Sequence, residues 1–488
     1  MKRKKGKPMQ DNIEKICRII LERVTPKQKE RSKIEGLAKK LEKKVIDASK
    51  AIGVDAVVRV EGSVAKDTWL SKEPDIDIFM RVPTTISRKN LGEIGLKIAR
   101  KATKGSRQIE RFAEHPYLEA FVNGIRVNIV PCYNVKKQGE WLSATDRTPY
   151  HTDYVKKHSN TKMRGEVRIL KKFMKGIDVY GAEIKIGGFS GYLCELLILH
   201  YKSFIDVLEA FAQHKRRIVI DIEKYYSGRE SELQLLFGEP LVIIDPVDKG
   251  RNVASAVQPH KLYTFVAAAQ AFLRDADLNF FYPTPTTPLT AKEFIQKSTK
   301  RGSAMLFITF GKVNAVPDVL WGQLYKSQRS LNKLLQLNDF NILRSLPWSN
   351  EKALNMFVFE LEQRFLSPTK KHLGPPLERE HECENFLKKH LGSSSTVSGP
   401  FIEGGRWVVE QRRKYTDAVV LLNAKLRDGG RNAGVAEQIS QKLRKSFKIF
   451  VNDEIAKIYG KNGDFAKFLT EFLSGKPKWL ETAQNCGD

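Results

Sequence analysis

The feature that most constrains this chain is a switch of hydrophobic period near residue 55. Before it, Ile34, Leu37, Leu41 and Val45 recur at helical spacing, and Thr25, Pro26 and Gln28 form that helix's start signal, with Thr25 as N-cap. After it the period is two. Residues 56–60 read as a strand, Glu61-Gly62-Ser63 as a turn and 64–70 as a short helix. Past Pro74, Asp75-Ile76-Asp77-Ile78-Phe79-Met80 is an alternating strand. Residues 117–122 and 125–130 flank Asn123-Gly124, a dipeptide that accepts the positive φ angles of a tight hairpin. Residues 1–150 are therefore expected to form a small α/β unit with a mixed sheet.

Helical patterns dominate from 150 to 212. Ser190 is the expected N-cap of a helix whose Leu193, Leu196, Leu197, Tyr201 and Phe204 share a face, and a second helix is expected over 260–275. Residues 281–285 form a Pro-rich connector. Strands at 304–310 and 356–362 then surround a helix at 319–335, and Gly374-Pro375-Pro376 marks a break over 370–376. A helix near 383–390, strands at 401–411 and 418–422 and two amphipathic helices complete the pattern. No repeat of the solenoid kind is found.

Charge narrows the partner. Across 488 residues, Lys+Arg 84 against Asp+Glu 56 leaves a formal net charge of +28. A polyanion relieves self-repulsion of that size, so nucleic acid is the leading partner class and an anionic membrane the weaker one. Residues 1–50 alone hold 17 Lys/Arg against 7 Asp/Glu, a solvated helix face that adds to this field. The longest apolar runs, 191–201 and 262–273, fall short of the ~20 residues that span a bilayer, and no signal-peptide apolar stretch follows the basic start. Cys17, Cys132, Cys194, Cys383 and Cys486 form no C-x-x-C pair, as in a reducing compartment; a zinc site at His381, Cys383 and His390 lacks a fourth ligand. A cytoplasmic protein with no membrane partner is expected.

The chemistry-bearing segment is Gly62-Ser63 followed by Asp75-x-Asp77. Residues two apart on a strand point to the same face, so both carboxylates aim at one place. Converging carboxylates repel unless a cation sits between them, and hard oxygen donors suit Mg²⁺. A Gly-Ser turn entering a helix offers backbone N–H groups, a hydroxyl and a positive helix end to a triphosphate. Together these describe metal-assisted nucleotidyl transfer.

Gly62-Ser63-x-Ala65-Lys66-x-Thr68-Trp69-Leu70 with Asp75-Ile76-Asp77 resembles the nucleotidyltransferase signature of the polymerase-β-like superfamily. More narrowly it resembles the archaeal class of CCA-adding enzymes. Ordered matches continue through Val130-Pro131-Cys132-Tyr133, Arg147-Thr148-Pro149-Tyr150-His151, Tyr180-Gly181-Ala182-Glu183, Gly188–Leu196, Asp245-Pro246, Arg251-Asn252-Val253-Ala254 and Val316–Gln323; the last 120 residues or so match mainly by position. The resemblance implies an α+β multidomain chain. It comprises a nucleotidyltransferase head with a small mixed sheet (1–150), a helical neck contacting the nucleotide (151–280), an α+β body (281–376) and an α+β, tRNA-binding tail (377–488). It also implies template-independent addition or repair of the 3′-terminal CCA of tRNA from CTP and ATP, Mg²⁺ as cofactor and a homodimer.

Residue by residue, the resemblance makes Asp75 and Asp77 metal-binding catalytic carboxylates. Ser63 and Lys66 match the turn that holds the triphosphate, with Lys66 where the family more often has Arg. His151, Lys171 and Tyr180 match positions contacting the nucleotide's phosphates and sugar, and Arg251 lies in the segment resembling the one that reads the base. The third metal-binding carboxylate of the family is replaced by Asn128, whose amide keeps the shape but carries no charge and accepts no proton. Slower chemistry with intact nucleotide binding is expected, with Glu119 on the hairpin's other strand as the candidate substitute. The alternatives are a catalytically impaired tRNA-binding paralogue or variant, and a related poly(A)-type transferase.

Overall fold

The computed structural model describes residues 7–480 except 113, 137 and 214–216. The chain divides into two compact units, 1–285 with 476–488, and 286–475.

The first unit begins with helices α1 (Lys7–Val24) and α2 (Gln28–Lys50). Thr25 does not cap α2. Its hydroxyl donates to Leu21 O at 2.6 Å, closing α1, and Lys27 takes the N-cap place without a side-chain bond. Then come β1 (Val57–Glu61), the one-turn α3 (Gly62–Ala65), β2 (Asp75–Val82), α4 (Arg88–Ala102), β3 (Arg107–Phe112), β4 (Pro116–Val122) and β5 (Ile125–Tyr133). The sheet order is β1-β2-β5-β4-β3, and only the β2–β5 pair is parallel, so the sheet is mixed as expected. Asn123 and Gly124 join β4 to β5 at φ 53° and 78°, the two positive angles that the hairpin reading required.

Alternation sorts this sheet into two faces. Val58, Ile76, Ile78, Met80, Leu118, Val127 and Ile129 pack with Ile34, Leu41 and Val45 of α2 and Leu96, Ile98 and Ala99 of α4. Burying each such side chain is worth roughly 1.5–3 kcal/mol, which fixes the register. Glu61, Asp75, Asp77, Glu119 and Asn128 are thereby left on the opposite face.

The rest of this unit is α5 (Thr148–His158), α6 (Thr161–Gly176), α7 (Gly191–Tyr201), α8 (Phe204–Ala212), β6 (Ile218–Ile220), α9 (Glu230–Leu236), β7 (Leu241–Asp245), β8 (Asp248–Asn252) and α10 (Pro259–Arg274). Ser190 caps α7, accepting from Leu193 N. The core joins Phe173, Phe204, Phe265 and Phe272 to Ile13, Ile16, Ile20 and Val24 of α1, so α1 belongs to the neck's core rather than the head's. Nor is the neck purely helical, because β6, β7 and β8 form a small sheet.

The second unit contains α11 (Ala291–Lys300), β9 (Ala304–Gly311), α12 (Pro317–Leu337), β10 (Ile342–Ser349), β11 (Leu354–Leu361), β12 (Thr369–Pro376), α13 (Glu380–His390), β13 (Thr396–Glu403), β14 (Arg406–Arg412), α14 (Ala418–Leu426), α15 (Glu437–Lys445), β15 (Phe447–Val451), α16 (Ala456–Tyr459) and α17 (Gly463–Ser474). Sheet β10-β11-β9-β15 is covered on one face by α12, α14 and α15 and on the other by α11, α16 and α17. Because β15 pairs with β9 and β12 with β14, the expected division at residue 376 cuts through both sheets of this unit.

Two local expectations fail for physical reasons. Residues 370–376 are an edge strand, not a break, and an edge tolerates Pro because one side of its ladder is unpaired. Residues 418–422 begin a helix despite their β-branched run: Asp417 caps it, and Ala418, Leu421, Leu422 and Leu426 bury a helical stripe. Cys17, Cys132, Cys194 and Cys383 are free thiols, and Cys486 lies outside the described residues. Among the described residues, no helix is long and apolar enough to cross a membrane.

Candidate active site

Strand β1 delivers the chain to Gly62, which sits at φ 69° against the Asp77 carboxylate. A Cβ built there would lie 2.1 Å from Asp77 Oδ2, so glycine is required by both conformation and space. Next to this turn lies a cavity of about 520 Å³, lined by Ser63, Thr68, Asp75, Arg126, Lys171, Lys175, Tyr180 and Lys261 among others. The expected residues Ser63, Asp75, Lys171 and Tyr180 are thus brought together.

The parallel pairing of β2 with β5 sets Asp75 beside Arg126 and Asp77 beside Asn128. Arg126 Nε donates to Asp75 Oδ1 at 2.8 Å while Nη2 donates to Oδ2, a two-point fork. Asn128 Nδ2 donates to Asp77 Oδ1 at 2.9 Å. Burial pushes the Asp77 carboxyl up to about 6, aided by the charge of Asp75 and opposed by the Asn128 hydrogen bond. Glu119 is the cross-strand partner of Asn128 and shares its face, but it is buried and its Oε1 accepts from Arg111 at 2.9 Å. Among the described residues, no group of three or more His, Cys, Asp or Glu side chains is placed to hold a metal ion. Asp75 and Asp77 fit a hard cation as two carboxylates, with the Asn128 carbonyl as a neutral third oxygen.

Lys66 departs from expectation. Its ammonium points into the protein, 2.5 Å from Glu195 Oε2, and the side chain is 7% exposed. Lys171 Nζ reaches the other Glu195 oxygen at 3.2 Å and Thr68 Oγ1 at 3.1 Å, and Thr68 Oγ1 itself donates to Glu195 at 2.6 Å. Burial drives the Glu195 carboxyl up, but the two ammoniums and these hydrogen bonds outweigh it and hold it below the usual range. Two lysines on one glutamate leave a net positive charge beneath the cavity. Lys66 thus pairs with Glu195 instead of lining the cavity.

His151 and Arg251 come together at Asp245, at the end of β7. His151 Nε2 lies 2.9 Å from Asp245 Oδ2, Arg251 donates to the same oxygen at 2.6 Å, and Tyr192 OH and Val247 N donate to Oδ1 at 3.1 Å each. The His151 and Tyr192 rings stack with centroids 4.0 Å apart. Burial raises the Asp245 carboxyl, yet the His151 hydrogen bond and the Arg251 charge prevail and bring it to about 2.

Family models and known proteins match the sequence of this chain over most of its length. Residues 38–151 match the nucleotidyltransferase domain model, 165–282 the second domain of tRNA nucleotidyltransferase, and 301–452 the C-terminal domain of CCA-adding enzymes. The CCA-adding enzyme of Methanosarcina acetivorans is 37% identical over 456 residues, 93% of this chain and 97% of that protein. That of Methanosarcina barkeri is 37% identical over 459 residues, and that of Methanothermobacter thermautotrophicus 33% over 457, each at 93% and 97% coverage. The chain belongs to the CCA-adding enzyme family.

Within this member of the CCA-adding enzyme family, four site residues escape the sequence reading: Arg126, Tyr192, Glu195 and Asp245. Glu195 was signalled by its setting, a lone carboxylate inside Leu193-Cys194-Glu195-Leu196-Leu197. Arg126 was signalled by the alternation that places it on the face of Asn128. For Tyr192 there was no comparable sign, and Asp245 stood out only through its Asp-Pro pair.

Proposed function

We propose that this chain adds or restores the 3′-terminal CCA of tRNA from CTP and ATP, without a nucleic-acid template, at the wall of the cavity where Asp75 and Asp77 share one strand face. That shared face beside Ser63 and Lys171 carries the reading. Asp75, Asp77 and the Asn128 oxygen would hold Mg²⁺, which would supply positive charge to stabilise the triphosphate and lower the pKa of the attacking hydroxyl.

The chain's own groups do the rest. Ser63 and Lys171 face the phosphates, and the Lys66–Glu195–Lys171 cluster keeps the floor positive as pyrophosphate departs. When the hydroxyl attacks, its proton must leave; the Asn128 amide cannot take it, so the acceptor is a carboxylate of this face or solvent. His151 and Arg251, pinned on Asp245, are rigid donors for sugar and base. Basic and aromatic side chains of the second unit, such as Arg406, Trp407, Arg412 and Arg413, serve the tRNA by phosphate and stacking contacts. The protein acts in the cytoplasm as a homodimer.

The test supplies nucleotides one at a time to tRNA lacking CCA. CTP alone should add two residues and a following ATP one, with nothing from UTP or GTP. Long A tails would contradict the reading.

A further inference from the structure

Each catalytic carboxylate already has a donor from β5: Asn128 on Asp77 and Arg126 on Asp75. The second contact is the more consequential. A guanidinium that forks both carboxylate oxygens occupies two of the about four lone-pair sites of that carboxylate and sets a positive charge where a cation would approach. Arg126 and a divalent ion therefore compete for Asp75, by charge and by the two sites the fork occupies. The pair is also open to exchange, since the Arg126 and Asp75 side chains are 47% and 36% exposed, and ion pairs so exposed are weakly held. Arg126 lines the same cavity as Ser63 and Lys171, so a guanidinium leaving Asp75 remains where the triphosphate is read to bind. Its planar fork matches phosphate oxygens as well as carboxylate oxygens.

We propose that Arg126 is an exchangeable counter-ion: it closes Asp75 in the metal-free protein, yields that carboxylate to a divalent cation, and turns its guanidinium to the nucleotide's phosphates. The inference rests on the assignment of Asp75 and Asp77 to a divalent cation. It explains how two carboxylates coexist on one strand face before the cation arrives. It also couples the two ligands, because the group that opposes the cation becomes a contact for the phosphates once displaced.

The experiment uses the full chain without nucleotide and titrates Mn²⁺, reading free ion by electron paramagnetic resonance, for the wild type, Arg126→Gln and Arg126→Lys. CTP affinity is then measured at saturating Mn²⁺. Arg126→Gln should bind Mn²⁺ about fivefold tighter, as expected for removal of an exposed competing ion pair, and bind CTP about tenfold more weakly. Arg126→Lys, which keeps the charge and loses the fork, should lie between the two in both readings. Equal or weaker Mn²⁺ binding by Arg126→Gln, or unchanged CTP affinity, would overturn the inference while leaving the assignment of Asp75 and Asp77 in place. If neither the wild type nor Arg126→Gln takes up Mn²⁺, that assignment falls and the counter-ion role falls with it.

Discussion

Asn128 donates its side-chain amide to Asp77 across the one parallel pair of the head sheet, at 2.9 Å. The bond gives Asp77 a neutral donor where a carboxylate at 128 would give a like charge. The amide satisfies Asp77, and the cost of its neutrality falls on the chemistry. Asn128→Asp should therefore raise the rate of incorporation by on the order of 100-fold, since a missing negative charge at a catalytic metal ligand costs several kcal/mol of barrier and each ~1.4 kcal/mol is tenfold. CTP and ATP affinity should change far less. Single-turnover addition to truncated tRNA at saturating Mg²⁺ measures both; equal rates would show that another group already fills the role.

Gly62 faces the other side of the same carboxylate. Gly62→Ala should reduce incorporation by at least tenfold, because its Cβ collides with Asp77 and the backbone there has positive φ. Circular dichroism should show the fold retained, as the strain is confined to one turn. Activity within twofold of the wild type would mean that the turn moves away from Asp77 in solution.

Glu195 holds two buried ammoniums. Glu195→Gln leaves Lys66 and Lys171 without a counter-charge in the interior, a change that costs about 3 kcal/mol or more. The melting temperature of the first unit should fall by roughly 5 °C or more. A shift below one degree would show that water enters the cluster and screens it.

Asp245 gives a pH dependence. Its carboxyl is held at about 2 in the folded protein against an ordinary 3.8. A carboxyl depressed on folding contributes stability above its ordinary value, and that contribution disappears as pH falls through its folded value. Between pH 4 and pH 2 the margin of the wild type over Asp245→Asn should shrink by about 2 kcal/mol. Denaturant unfolding across that range measures it, and a margin independent of pH would refute the ion-pair account.

Much of the head was legible because its signals are local. Alternation over Asp75–Met80 and the Asn123-Gly124 turn fix strands, faces and register without reference to the rest of the chain. The same logic, continued along β5, exposes Arg126. What was not legible depends on partners far away in sequence. Lys66 and Lys171 read as contacts for the nucleotide, and nothing local shows that Glu195, 129 and 24 residues distant, pairs with both ammoniums. Similarly, residues 418–422 have a strand's composition, and only Asp417 together with the shape of the neighbouring core makes them helical. The division at residue 376 failed because β15 crosses it to complete a sheet begun by β9.

The most direct test of the central claim compares the wild type with Asp77→Ala on tRNA ending just before CCA, with CTP and ATP present and products resolved one nucleotide at a time. The wild type should add C, C and A and then stop. Asp77→Ala should bind the tRNA with unchanged affinity and add nothing. Extension by Asp77→Ala at the wild-type rate would contradict the assignment of catalysis to this strand face.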